Sequence, residues 1–323
     1  MMPWGSSAGE PGALSEAAVG RFLGEVRIES DSVDGDTLVA ARDQLEEYSW
    51  LHGRSAYLTL ALLSRLVAPG SGPRVLELGG APYFFSALMA RHFAAHLTAV
   101  NVPAASWPGE PSPVTSGRVR LRVPDDESAT RALDVDVAVF NMEKDPFPFP
   151  DEAFDVVLCM EVLEHLGYSP SHMLGEVHRV LRPQGVLLIT VPNLLTIKRT
   201  ISHFFNVPME FPYSGYGIYG RHQREYAPGE VRRLLEANNY RVAALQTANV
   251  WPVHRGSVIK AAGNVVLNAV TRLPLPGLAA KREYILCAAR PHGDAVVSYP
   301  KWLYTHRQMF PDPPPGVRKV LPD

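Results

Sequence analysis

Two short stretches of the 323-residue chain bring chemically useful side chains close together. In the first, Glu77-Leu-Gly79-Gly80-Ala81-Pro82-Tyr83, a carboxylate is followed almost at once by two glycines. A glycine turn lets the backbone approach a ligand, and a carboxylate beside it can hold a cationic group or the hydroxyls of a ribose. A dinucleotide site would want G-x-G-x-x-G ahead of a helix, and that spacing is absent. In the second stretch, Glu161-Val-Leu-Glu164-His165, Glu161 and His165 stand four apart and on a helix would share a face, as half of a metal site might. No third ligand is apparent at suitable spacing, so no metal is assigned. Because imidazole titrates near neutral pH, His165 and the later His222 are the candidate general bases, with Glu164 and Glu225 as rivals.

These side chains need elements to hold them. Branched apolar residues running up to Glu77 read as a buried parallel strand, and Phe84, Phe85, Leu88, Met89 and Phe93 have helical spacing, with Pro82 at the first turn. The unit is strand, turn, helix, and in a doubly wound sheet ligands bind at this carboxyl end of the strands. Further strands are expected at 97–101, 118–123, 136–140, 155–160, 186–191, 240–247 and 283–289. Helices are expected at 14–26, 36–66, 171–181, 228–238 and 257–272. Arg118, Arg120 and Arg122 alternate with apolar residues and read as the solvated face of a strand.

The motifs resemble the class I S-adenosylmethionine-dependent methyltransferases. The family's first motif, acid-x-Gly-x-Gly-x-Gly, appears as Glu77-Leu-Gly79-Gly80-Ala81-Pro82-Tyr83, with Ala81 and Tyr83 where the second and third glycines would stand. Asn101 ends the second strand where the family usually has an acid that holds the cofactor ribose. Asn141-Met142-Glu143 opens a segment similar to the family's D-x-x-x-L-P-F-x-D, and Val162-Leu-Glu164-His165-Leu and Leu181-Arg-Pro-Gln-Gly185 match two later signatures. The resemblance implies S-adenosylmethionine as cofactor and a seven-stranded, doubly wound Rossmann-like α/β sheet. It implies cofactor contacts for Glu77, Gly79, Gly80, Ala81, Tyr83, Asn101, Asn141, Met142, Glu143, Met160, Glu161 and Val162.

Residues 194–227 depart from this pattern. They are dense in aromatic, cationic and His residues, which suits a substrate lid, with Tyr216, Tyr219, Arg221 and Arg224 as the substrate contacts. The expected organisation is a disordered 1–13, a helical cover at 14–70, a methyltransferase domain at 71–290 with cover insertions at 194–227 and 250–280, and a proline-rich tail at 291–323.

Hydrophobic residues make up 46% and charged residues 20% of the chain, and the formal charge is −2. This is the balance of a globular protein without a strong field for nucleic acid. The two cysteines each lie in an apolar run, which argues against a disulfide framework. No basic, apolar leader opens the chain and no run approaches ~18 apolar residues, so a cytoplasmic location without a membrane span is inferred. The function implied is O-methylation of a hydroxyl on a sugar, glycan precursor or natural product. A non-catalytic binding or scaffold protein that kept the fold is the alternative, and an RNA methyltransferase is a third reading.

Overall fold

The computed structural model describes residues 14–32, 42–102, 114–125, 129–205, 220–250, 258–273, 275 and 277–322. Expectations for residues 1–13, and for Tyr216 and Tyr219, lie outside the described residues. The chain opens with α1 (Glu16–Glu25), β1 (Arg27–Asp31) and α2 (Arg42–Leu63). It continues through β2 (Arg74–Leu78), α3 (Phe84–Phe93), β3 (His96–Asn101), β4 (Thr115–Asp125), β5 (Ala129–Val139) and β6 (Phe154–Met160). A 3-10 turn at Leu163–His165 leads to α4 (Pro170–Val180), β7 (Leu181–Pro192), α5 (Ile197–Phe204), α6 (Pro228–Ala237) and β8 (Tyr240–Ala248). The chain closes with α7 (Val258–Val270), β9 (Tyr284–Pro291), β10 (Val296–Ser298) and β11 (Arg318–Val320).

Nine strands form one sheet in the order β1-β4-β5-β3-β2-β6-β7-β9-β8. β5, β3, β2, β6 and β7 run parallel, and their mostly apolar, two-side-buried sequences are what such central strands require. On one side β9 runs antiparallel to β7 and β8 antiparallel to β9, and on the other β4 runs antiparallel to β5 and β1 antiparallel to β4. The doubly wound class is as expected, but the strand number is nine rather than seven. The surplus lies at the β4 edge. β1, Arg-Ile-Glu-Ser-Asp, carries no apolar alternation of its own and is defined by its pairing with β4. The arginines of β4 meet acids across the exposed face: Arg118 with Asp136 at 2.8 Å, Arg120 with Asp134 at 2.7 Å, and Arg122 with Glu29. Exposed pairs of this kind contribute little stability, so their effect is to fix register and blunt the edge.

Side chains of α1, α2 and α3, including Phe22, Leu60, Leu88 and Phe93, bury one face of the sheet. Met173, Leu174, Val177, Val231, Leu234 and Leu235 from α4 and α6 bury the other. The chain builds outward from β2 to β3 and β5, then returns to β6 and continues to β7 on the far side. The loops after β2 and β6 therefore part company at a switch point, where a crevice opens.

The proline-rich loop after β5 is clasped rather than merely stiff. Glu176, fully buried on α4, accepts from the Phe147 N–H at 2.6 Å and pairs with Arg179 at 2.8 Å. Arg179 also donates to the carbonyls of Phe149 at 2.9 Å and Phe147 at 3.1 Å. Lysine keeps the charge but not this fork of donors, so Arg179→Lys is expected to cost about 2 kcal/mol and lower the melting temperature by about 5 °C in a thermal melt.

The tail folds back onto α4. β10 and β11 pair in parallel, and Tyr304 shares hydrogen bonds with the hydroxyls of Ser169 and Ser171 at 2.9 and 2.8 Å. Phe310 stacks on Tyr299 at 4.7 Å, and Arg233 covers the Trp302 ring. Among the described residues no helix is long and apolar enough to cross a membrane.

Candidate active site

The two motif loops face each other across the switch point. Gly79 has φ +66°, and a Cβ there would stand 2.6 Å from a methyl of Val162, so this glycine is needed for the two loops to touch. A Cβ on Gly80 would stand 2.7 Å from that of Ala99 on β3. Protein side chains, rather than an open ligand channel, thus account for both glycines.

Glu77 ends β2 almost fully buried, and one of its oxygens accepts from the Ser86 hydroxyl on α3. Burial pushes its carboxyl up to about 8, against the lowering effect of the Ser86 hydrogen bonds. Glu161, just beyond β6, has φ +54°, a left-handed conformation that side-chain-bearing residues adopt at a cost. Its N–H is held by the Thr190 carbonyl at 3.0 Å, and its Oε1 is buried without a hydrogen-bond partner. Burial raises its pKa also, opposed by a hydrogen bond with Tyr284. A cavity of about 50 Å³ lies between them, lined by Glu77, Gly79, Met160, Glu161 and Tyr284, with His52 and Ser55 of α2 as its cover.

The two departures from the glycine motif form one unit. Tyr83, fully buried with φ +65°, receives a 2.7 Å hydrogen bond from the Asn101 amide, and Asn101 in turn accepts from the Ala81 N–H at 3.3 Å. A phenol and an amide thereby hold the turn that glycines and an acid would otherwise shape. At the end of β5, Asn141 and Met142 are buried beside the same edge. Glu143 is committed elsewhere: its carboxylate accepts from the N–H groups of Gly167, Tyr168 and Ser169 at 3.2, 2.6 and 3.0 Å, pinning the loop that leads into α4.

Glu161 and His165 do not share a helical face, because the chain turns left-handed at Glu161 and then enters the 3-10 turn. The structure instead brings Glu164, His165 and His222 together, with ligand atoms within 4.8 Å of one another. The segment carrying His222 is docked by the N–H groups of Gln223 and Arg224, which donate to the Glu164 carbonyl at 2.7 and 3.2 Å. Arg221 offers its carbonyl to His165, whereas the Arg224 guanidinium is held by Glu230 at 2.8 Å and lies over the Tyr226 ring. His52, Ser55 and Tyr284 carried no sequence signal, since each reaches the cavity through an element distant in the chain.

A parallel sheet with its crevice at the switch point, buried acids at the strand ends and a cover helix defines a doubly wound α/β ligand-binding domain. More particularly, the family described as "Methyltransferase domain" matches residues 50–245, and the chain belongs to that family. Over 121 residues, 35% of this chain, it is 31% identical to a probable S-adenosylmethionine-dependent methyltransferase of Mycolicibacterium smegmatis, covering 42% of that protein. Over 136 residues, 40% of this chain, it is 28% identical to a probable S-adenosylmethionine-dependent methyltransferase of Mycobacterium tuberculosis, covering 43% of it. The matched stretches therefore span less than half of these relatives. A putative methyltransferase of Haloferax volcanii, solved in complex with a methyltransferase activator, superposes with a TM-score of 0.44 at 13% identity over 75% of this chain and 92% of that one.

Proposed function

We propose that the protein is an S-adenosylmethionine-dependent methyltransferase whose acceptor is a hydroxyl on a sugar, glycan precursor or natural product. The observation that carries the first part is the pair of buried acids, Glu77 and Glu161, facing one cavity with the Glu161 Oε1 unsatisfied. A buried anion without a partner is costly, and the methionine end of this cofactor, with its ammonium and sulfonium, has the complementary charge. Bound there, the cofactor supplies an electrophilic methyl group. Glu77 and Glu161 would hold its cationic end beside Met160 and Val162. The turn from Gly79 to Ala81 would line its middle, and Asn101, with Asn141 and Met142, would flank the nucleoside end. Glu143 acts at one remove, through the loop it pins. The cavity of about 50 Å³ between the two acids would take the methionine end of the cofactor, beneath His52 and Ser55.

Methyl transfer needs the acceptor oxygen in line with the methyl carbon, which is chiefly a matter of positioning. A hydroxyl must also shed its proton as the new C–O bond forms, and His165 and His222, grouped around Glu164, would handle that proton. Arg221 and the aromatic residues of the 194–227 segment would orient the acceptor. Incubation with methyl-labelled cofactor and a panel of sugars and natural-product hydroxyls is expected to yield a labelled ether. Label found only on amines or RNA, or transfer abolished by heparin, would overturn the acceptor class. One observation favours a scaffold instead: the Asn101 side chain is engaged by Tyr83 and Ala81, at the position where a ribose would be held. Absence of any cofactor binding would select that reading.

A further inference from the structure

We propose that Glu164, His165 and His222 form a binding site for one divalent first-row transition-metal ion at the mouth of the crevice. The ion would be the point of attachment for the acceptor hydroxyl, a role that rests on the methyl-transfer reading; the metal site itself does not. Glu164 is fully buried, and neither of its carboxylate oxygens has a hydrogen-bond partner. The His165 Nε2 lies 3.9 Å and the His222 Nε2 4.0 Å from the same oxygen, Oε1. These separations are too long for hydrogen bonds. They stand about half an ångström beyond the ~3 to ~3.4 Å that bonds of ~2.1 Å set between neighbouring ligand atoms, so a small rotation of the two rings gathers all three around one ion.

The outer contacts set the imidazoles for this use. The His165 Nδ1 is 3.1 Å from the Arg221 carbonyl, which only accepts, so Nδ1 carries the proton and Nε2 turns its lone pair toward Glu164. The His222 Nδ1 stands 3.3 Å from Glu225 Oε1, and the same assignment follows. Carbonyl–imidazole and carboxylate–imidazole pairs of this sort orient metal-binding histidines and raise their basicity. Glu225 is itself held by an ion pair with Arg199. Two imidazole nitrogens and a carboxylate thus converge in a sequence interval that only the fold closes. The donor set, two nitrogens and a carboxylate, favours Mn²⁺, Fe²⁺, Co²⁺ or Zn²⁺ over Mg²⁺ or Ca²⁺. Three protein ligands leave positions for an exchangeable oxygen, and His165 and His222 are each about a quarter exposed or less, so that oxygen enters from the crevice. With the ion bound, His165 and His222 serve as ligands rather than bases, and a hydroxyl bound to such an ion releases its proton to solvent far more readily than a free one.

The test uses the full chain, stripped with a chelator and titrated with Co²⁺ by visible absorption and with Zn²⁺ by calorimetry, with no cofactor present. One ion per chain with a Kd in the micromolar range or below is expected, and Mg²⁺ in large excess is expected not to compete. His222→Ala and Glu164→Gln are each expected to weaken binding about 30-fold or more. Thermal melts and cofactor titrations of both variants verify that the fold and the cofactor pocket persist. If Glu164→Gln fails to fold, His222→Ala, on a partly exposed residue, carries the test alone. Absence of saturable binding, or binding unchanged in His222→Ala, would overturn the site and leave a shared proton as the link among the three groups. Metal binding without cofactor binding would sink the methyltransfer reading while the site stood; the reverse outcome would do the opposite.

Discussion

Replacing Glu77 and Glu161 together by glutamine is expected to raise the Kd for S-adenosylmethionine about a thousandfold while leaving the fold intact. Each buried carboxylate facing a cationic group is worth about 2 kcal/mol, and two such contacts make about 4 kcal/mol, or three decades in affinity. Glutamine keeps the shape of the side chain and the hydrogen bond with Ser86, so loss of packing does not confound the result. Each single variant is expected to lose about thirtyfold. Calorimetric titration measures all three.

The same acids make the free protein less stable as pH rises. Glu77 moves from an ordinary 4.5 to about 8 in the folded chain, so between those values the native state holds a proton that the unfolded state has lost. Its contribution is fully present below pH 4.5 and is lost as pH climbs toward 8, at about 1.4 kcal/mol per pH unit and on the order of 5 kcal/mol in all. Glu161, raised by burial and by the Glu225 charge, and Glu164, raised by burial and by the charges of Glu161 and Glu225, act in the same direction. Glu77→Gln removes one such group. Denaturant melts are therefore expected to show the variant gaining on the natural chain by about 1.4 kcal/mol per unit from pH 5 to 8. A difference that stays flat with pH would mean that Glu77 is ionised in the folded chain.

The strand-turn-helix around Glu77 was legible in the sequence because a buried parallel strand, a glycine turn and an amphipathic helix each leave a local pattern. β1 was not, since a short polar edge strand exists only through its neighbour β4. At the site, Tyr83 and Asn101 read separately as two departures from a motif. Only the fold shows that they bond to each other. Glu143 stands where the family's adenine contacts fall, yet its oxygens are taken up by three backbone N–H groups, a commitment that residue type cannot reveal. The grouping of Glu164 with His165 and His222 depends on the segment after β7 crossing back over the turn after β6. Periodicity carries no record of such a crossing.

The most direct measurement of the central claim is calorimetric titration of the natural chain with S-adenosylmethionine at pH 7 in two buffers of different ionisation enthalpy. Cofactor bound against Glu77 and Glu161 must displace the protons that burial keeps on them. Net release of about one proton or more per cofactor is expected, fading by about pH 9 and absent in the double glutamine variant. Binding with no proton release, or with the same affinity in the double variant, would contradict the assignment of these two acids to the cofactor.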